Sequence, residues 1–264
     1  MATRRTPRPR VNAESIDPDA DLITELAAHV PRRAMVVMAH PDDTEFACGG
    51  TVAVLCRDGW EVQIVVTTSG NKGTKDSEVT GQALAGVREE EQRRAAEILG
   101  ACEPVFLGFP DGYIRNDDEL RGLIVRQIRL HRPELVITWD GFRPGFNHRD
   151  HRLTGQATYD AIYPAADDHL YYPLDKEEGL APHRPLAMLL AGTNEPDYDV
   201  DIEPVLRTKV RAVLAHVSQM GGRNEERLLQ MWRERAQRER AVSAGEQPLE
   251  PVFRESFRKM LMRR

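Results

Sequence analysis

Ala34-Met35-Val36-Val37-Met38-Ala39-His40-Pro41-Asp42-Asp43 is the stretch on which the fold turns. Its first five residues are all apolar, the pattern of a strand buried on both faces of a parallel sheet. Glu45 to Asp58 follows as a helix that opens on acidic residues and stops before Gly59. One imidazole and two adjacent carboxylates therefore stand at a strand-to-helix corner. In open α/β sheets ligands collect at the carboxyl ends of the strands. Neighbouring side chains of extended backbone point to opposite sides, so one aspartate can face a metal while the other faces a substrate.

A second corner lies about 100 residues on. Leu135-Val136-Ile137-Thr138-Trp139 reads as another buried strand, and His148-Arg149-Asp150-His151 comes after it. Residues three apart share a helix face, so His148 and His151 lie together if helix begins there. Further strands are expected at Glu61–Thr67, Pro104–Leu107 and Leu186–Ala191. Helices are expected at Asp21–Val30, Leu84–Leu99, Glu119–His131, Leu153–Tyr163, Val205–Val217 and Glu225–Ala241. The alternation predicts an α/β chain, a Rossmann-like three-layer fold with a mostly parallel sheet and its active site at the C-terminal ends of the strands. No G-x-G-x-x-G follows the first strand, and Gly49-Gly50 falls inside a helix, which argues against a dinucleotide site.

The 264 residues suffice for one large domain. Residues 1–20, with Arg4, Arg5, Arg8 and Arg10, are expected as a disordered basic arm. Residues 21–264 are expected as a single domain, with 164–185 as a variable lid or subunit-contact segment and 222–264 as a charged C-terminal helical region. The net charge of −6 gives no nucleic-acid footprint. No apolar run approaches the ~18 residues of a membrane helix, and no apolar stretch follows the basic N-terminus as in a secretory signal. Cys48, Cys56 and Cys102 form no C-x-x-C pair and no even framework, which fits a reducing, cytoplasmic setting.

The two corners together, in this order and each after a strand, resemble the LmbE/PIG-L family of metal-dependent de-N-acetylases. The likeness runs with motifs from about Met35 to Gly155 and more weakly beyond, to Phe253-Arg254-Glu255-Ser256-Phe257. It implies that His40, Asp43 and His151 hold Zn²⁺, with Fe²⁺ or another divalent ion tolerated by a mixed nitrogen–oxygen set. It implies that Asp42 is the general base for a water held on the metal. His148 would be a protonated oxyanion stabiliser, and Asp150 would hold that imidazolium. Arg88, in an R-x-x-E with Glu91, and Asp111, in Gly108-Phe109-Pro110-Asp111-Gly112, would contact substrate hydroxyls. Arg149 stands where the family often has proline, and its charge would suit an anionic substrate.

The function so implied is removal of an N-acetyl group from an N-acetylated amino sugar or glycoconjugate. An amidase of a thiol conjugate or other non-sugar amide is the alternative, and a non-catalytic binding protein on the same fold a weaker one. The expected partner is the small-molecule sugar, without nucleic acid or membrane. The resemblance also implies a homo-oligomer, trimer or hexamer.

Overall fold

The structure, a computed structural model, describes residues 13–29, 31–244 and 253–263. Among these, seven strands form one sheet in the order β3-β2-β1-β4-β5-β7-β6. The strands are β1 (Arg33–Met38), β2 (Glu61–Thr68), β3 (Val105–Phe109), β4 (Leu135–Trp139), β5 (Ala187–Ala191), β6 (Tyr198–Asp201) and β7 (Arg254–Leu261). β1 to β5 are parallel, with Ala34 opposite Val62 on one side and Leu135 on the other. The chain leaves β1 towards β2 and β3, then returns to place β4 on the opposite flank. That reversal opens a crevice between the ends of β1 and β4, where such sheets bind ligands.

Alternate residues of β1 serve two cores, which explains its unbroken apolar run. Ala34, Val36 and Met38 pack with apolar side chains of α1 (Leu22–His29), α2 (Asp43–Arg57), α3 (Gly81–Leu99), α7 (Leu206–Leu214) and α9 (Glu225–Ala244). Met35 and Val37 pack on the other face with those of α4 (Asp118–His131) and α5 (Arg149–Asp160). The expected three layers are present. The basic arm expected over 1–20 lies outside the described residues as far as residue 12. From 13 on the expectation is corrected, since Ala13 and Ile16 are buried in the first core.

The antiparallel edge was not foreseen. The region 222–264, expected as helical, ends in β7, which pairs with β5 from Ala187–Leu261 to Ala191–Phe257 and with β6 beyond. Its Arg254, Arg258 and Lys259 mask an alternation in which Glu255 and Phe257 are the buried residues. Glu255 explains why a carboxylate belongs there. Helix α2 is kinked at Cys48 (φ −149°, ψ 16°), so the amides after the kink need acceptors. Glu255 takes Gly50 N–H at 2.8 Å, Thr51 N–H and hydroxyl at 2.6 Å each, and the Lys209 ammonium at 2.5 Å. Gly50 itself must lack a side chain, because a Cβ would lie 2.6 Å from Ile202. Glu255→Ala leaves two buried amides without their acceptor and the Lys209 ammonium without its counter-charge, on Phe46 O alone. It is expected to cost about 3–5 kcal/mol, read as a lower urea midpoint.

The segment 164–185, expected as a variable lid or subunit-contact segment, packs along α4. A π-helical turn at Ala161–Ala166 and α6 (Pro173–Glu177) lie within 161–177. Buried Arg129 of α4 donates to the carbonyls of Ala165, Asp168 and Tyr171 and to Asp175 Oδ2, all at 2.8–2.9 Å. The Tyr172 hydroxyl donates to Asp118 O at 3.1 Å. With this many backbone groups committed, the segment has little freedom to swing.

Candidate active site

The chain turns sharply after β1. Asp42 takes φ 111°, ψ −26°, a left-handed geometry that costs a non-glycine residue about 1–3 kcal/mol and persists only where its surroundings enforce it. Here they do. Asp42 N–H donates to Gln92 Oε1 at 3.0 Å, and Arg88 Nη2 donates to Asp42 Oδ2 at 3.0 Å. Asp42 precedes α2 but makes no side-chain cap, so its carboxylate is not spent on the helix. Burial first, then the charge of Asp43, push its pKa up to about 7, against the pull of Arg88, His216 and His40. A group near 7 can both take and return a proton at neutral pH.

The two corners meet. His40 Nδ1 lies 3.2 Å from His151 Nε2 and 3.3 Å from Asp43 Oδ2, and His151 Nε2 lies 3.2 Å from Asp43 Oδ1. A tetrahedral ion with bonds of about 2.0–2.1 Å separates its ligands by about 3.3 Å; each contact within the trio is near that value, with Asp43 meeting the two rings through different oxygens. His148 joins them, its ligand atom within 4.8 Å of those of His40 and His151. α5 does start at Arg149, and the rings of His148 and His151 stack at 4.4 Å. The surplus of carboxylate also favours a cation. Burial alone would lower His40's pKa, but Asp111, Asp150 and Asp43 lift it to about 12. Asp43 is held far below the usual carboxylate range, its burial outweighed by His151 and His40.

Sequence reasoning missed the residues that orient this trio. Asp43 Oδ2 accepts from the amides of Ala39 (3.1 Å) and His40 (2.9 Å) and from Trp139 Nε1 (3.2 Å), which turns Oδ1 towards His151. Trp139 also stacks flat on His151, 4.4 Å between centroids and 8° between planes, with Phe146 edge-on to both. Gln92 was missed because it sits in a highly charged helix, although it lies four residues from Arg88 on the same face. Glu45 sits in the first turn of α2, as the acidic start of that helix predicts, and is wholly buried between Gln92 Nε2 (2.8 Å) and His216 Nε2 (3.1 Å).

Three expectations need correction. Arg88 is 3 % exposed. Its guanidinium donates to Asp42, to Gly70 O at 2.9 Å and to Pro41 O at 2.5 Å, so it holds Asp42 and the loop after β2 rather than reaching substrate hydroxyls. Asp150 does not hold His148: its Oδ2 accepts Gly112 N–H at 2.5 Å and faces His40 Nε2 at 3.5 Å. His148 is not held protonated either. Partial burial, then the neighbouring imidazoles of His151 and His40, lower its pKa, and Asp150 and Asp43 offset this only in part. Asp111 does face the site, with Oδ1 3.2 Å from His40 Nε2. Arg149 spends its charge on the backbone, donating to the carbonyls of Gly112 and Ile114.

Comparison with known proteins places the chain beside deacetylases and an amidase. Residues 35–162 match the family described as PIG-L: GlcNAc-PI de-N-acetylase. A diacetylchitobiose deacetylase of Thermococcus kodakarensis is 37% identical over 188 residues, covering 71% of this chain and 70% of that protein. A mycothiol S-conjugate amidase of Streptomyces coelicolor is 32% identical over 187 residues, 62% of each chain. Among solved structures, the N,N'-diacetylchitobiose deacetylase of Pyrococcus horikoshii in complex with an inhibitor superposes with a TM-score of 0.76 at 27% identity, covering 87% of this chain and 84% of that one.

Proposed function

The chain belongs to the PIG-L family of de-N-acetylases, and on that premise we propose that it is a metal-dependent hydrolase removing the N-acetyl group of an amino sugar or short glycoconjugate. The observation that carries the reading is the carboxylate of Asp42, carried on left-handed backbone and uncommitted to α2, beside the cluster of His40, Asp43 and His151 with contacts of 3.2–3.3 Å. His40, Asp43 and His151 would hold the ion. Two imidazoles and a carboxylate suit Zn²⁺, and Fe²⁺ is compatible. When bound, a divalent ion supplies Lewis acidity for the amide carbonyl and makes water acidic enough to attack at neutral pH.

The chain's own groups do the rest. Asp42 takes a proton from the attacking water and returns it to the amide nitrogen as the C–N bond breaks, so acetate and a free amine leave. Arg88 keeps Asp42 aimed through the cycle. His148, neutral and on the open side of the site, offers an N–H to the carbonyl oxygen as charge develops there. Trp139 and Phe146 fix His151 from behind, and Asp150 backs His40. Among the described residues no helix is long and apolar enough to cross a membrane.

The β3–α4 loop favours a sugar longer than one ring. Lys72 Nζ donates to Asp111 O at 2.5 Å, Tyr113 N–H bonds Pro110 O at 3.1 Å, and Ile114 is buried. With Arg149 on Gly112 and Ile114, the backbone from 111 to 114 is fixed. Yet the Tyr113 ring is 68 % exposed, 3.7 Å from Lys72 Nζ. A rigidly mounted, exposed ring two residues from Asp111 is a stacking surface for a second pyranose. Tyr113→Ala is expected to lower kcat/KM about tenfold on N,N'-diacetylchitobiose, the loss of roughly 1.5 kcal/mol of ring contact, and to change N-acetylglucosamine turnover much less.

Acetate release from both sugars, with and without a chelator, tests the main reading. Acetate should appear, vanish on chelation and return with zinc. No acetate from either sugar by metal-loaded protein, with amine released from a thiol-conjugate amide instead, would favour chemistry like that of the Streptomyces relative.

A further inference from the structure

The segment His216-Val217-Ser218-Gln219 has no part in the chemistry above, yet three of its four side chains reach into the machinery around Asp42. It opens α8 (Val217–Met220). His216, wholly buried, donates Nε2–H to Glu45 Oε2 of α2 at 3.1 Å. Ser218 donates its amide to Glu91 Oε1 and its hydroxyl to Glu91 Oε2 of α3, each at 2.7 Å. Gln219 Nε2 donates to Gly73 O in the β2–α3 loop at 3.2 Å. One short piece of chain thus ties together the three elements that surround the base.

The His216 branch runs on to Asp42 in a single direction. Asp42 N–H can only donate, so Gln92 must present its oxygen to it, at 3.0 Å. Its amide nitrogen then necessarily donates to Glu45 Oε1, at 2.8 Å. Glu45's other oxygen is left to accept His216 Nε2–H. Reversing the Gln92 amide would break the chain at both ends. Gln92, Glu45 and His216 are all 0 % exposed, so no water can replace a lost partner cheaply. The left-handed backbone of Asp42 needs such over-determination to persist.

We propose that His216 is a positioning residue for Asp42, acting through Glu45 and Gln92 to keep the base in its strained backbone geometry; this rests on the reading of Asp42 as the base. His216→Leu removes the donor. His216→Gln keeps one, because its amide can reach the same carboxylate. His216→Leu is expected to lower kcat about ten- to a hundredfold, the scale of a base displaced by about 1 Å. KM should stay within about twofold and metal content should be unchanged. His216→Gln should recover most of kcat. A Gln92→Leu, His216→Leu double variant should be little slower than the worse single one, since both cut one chain.

Amide hydrogen exchange of the peptide spanning residues 39–46 is read on the same proteins and needs no turnover. His216→Leu should speed exchange at Asp42, and His216→Gln should restore protection. Unchanged exchange and unchanged kcat in a folded His216→Leu protein would overturn the proposal. So would a loss of kcat that merely follows lost metal or a lost folded fraction. Wild-type protein that releases no acetate but shows the expected exchange pattern would instead sink the assignment of Asp42 as base and leave the clamp standing.

Discussion

Asp42→Asn is expected to lower kcat by about 10²–10⁴, the usual worth of a positioned general base, with bound metal retained. Asparagine preserves the size of the side chain, and its oxygen can still accept from Arg88, so the turn should survive. What disappears is the ability to take a proton. The environment of Asp42 argues for that role over a structural one. Its carboxylate caps no amide of α2, and burial together with Asp43 raises its pKa to about 7. Only the carboxylate form accepts a proton, so wild-type activity should fall as pH drops through this group's pKa. The asparagine variant should lack that acidic limb. Steady-state kinetics from pH 5 to 9 on a soluble N-acetylated sugar reads both effects. A variant within threefold of wild type would remove Asp42 from the chemistry.

His151→Ala is expected to abolish both ion binding and turnover. On the proposed reading the ring would be one of three ligands, and the one that the second corner contributes. Without it, His40 and Asp43 remain, fewer than the three protein ligands usual in a catalytic site. The loss should be specific rather than a collapse of the fold. His151 lies in the first turn of α5, and its neighbours Trp139 and Phe146 still pack on each other, 5.5 Å between centroids. Metal analysis after dialysis should find the variant depleted, with acetate release at background, while its circular dichroism matches wild type. His148→Ala should behave differently, keeping the ion and losing rate, because on the proposed reading this ring faces the carbonyl oxygen rather than the ion.

Much of this was legible in the residues themselves. β1 and β4 are mostly apolar runs because each is covered on both faces, and that signal survives without any knowledge of the neighbours. The histidines and aspartates after them were legible because corners of an open sheet are where charge can be useful. Roles that depend on who faces whom were not legible. Arg88 and Gln92 sit in a helix whose exposed face is a run of Glu and Arg, and nothing local separates the inward charges from the outward ones. Asp150 is two residues from His148 in sequence, but helical geometry turns it towards Gly112 and His40. β7 carries three basic residues that disguise a strand, and the need for Glu255 appears only with the kink in α2 at Cys48. His216 stands far from both corners in sequence, and its partner Glu45 becomes adjacent only when α7 packs on α2.

The meeting of the two corners around one ion is tested most directly by removing metal from the wild-type protein and restoring it stepwise, with ion content and acetate release from N,N'-diacetylchitobiose measured on each sample. The predicted result is activity that rises in proportion to bound divalent ion and levels off at a single ion per chain. Undiminished acetate release from fully depleted protein, or full occupancy by the ion in His151→Ala, would contradict it.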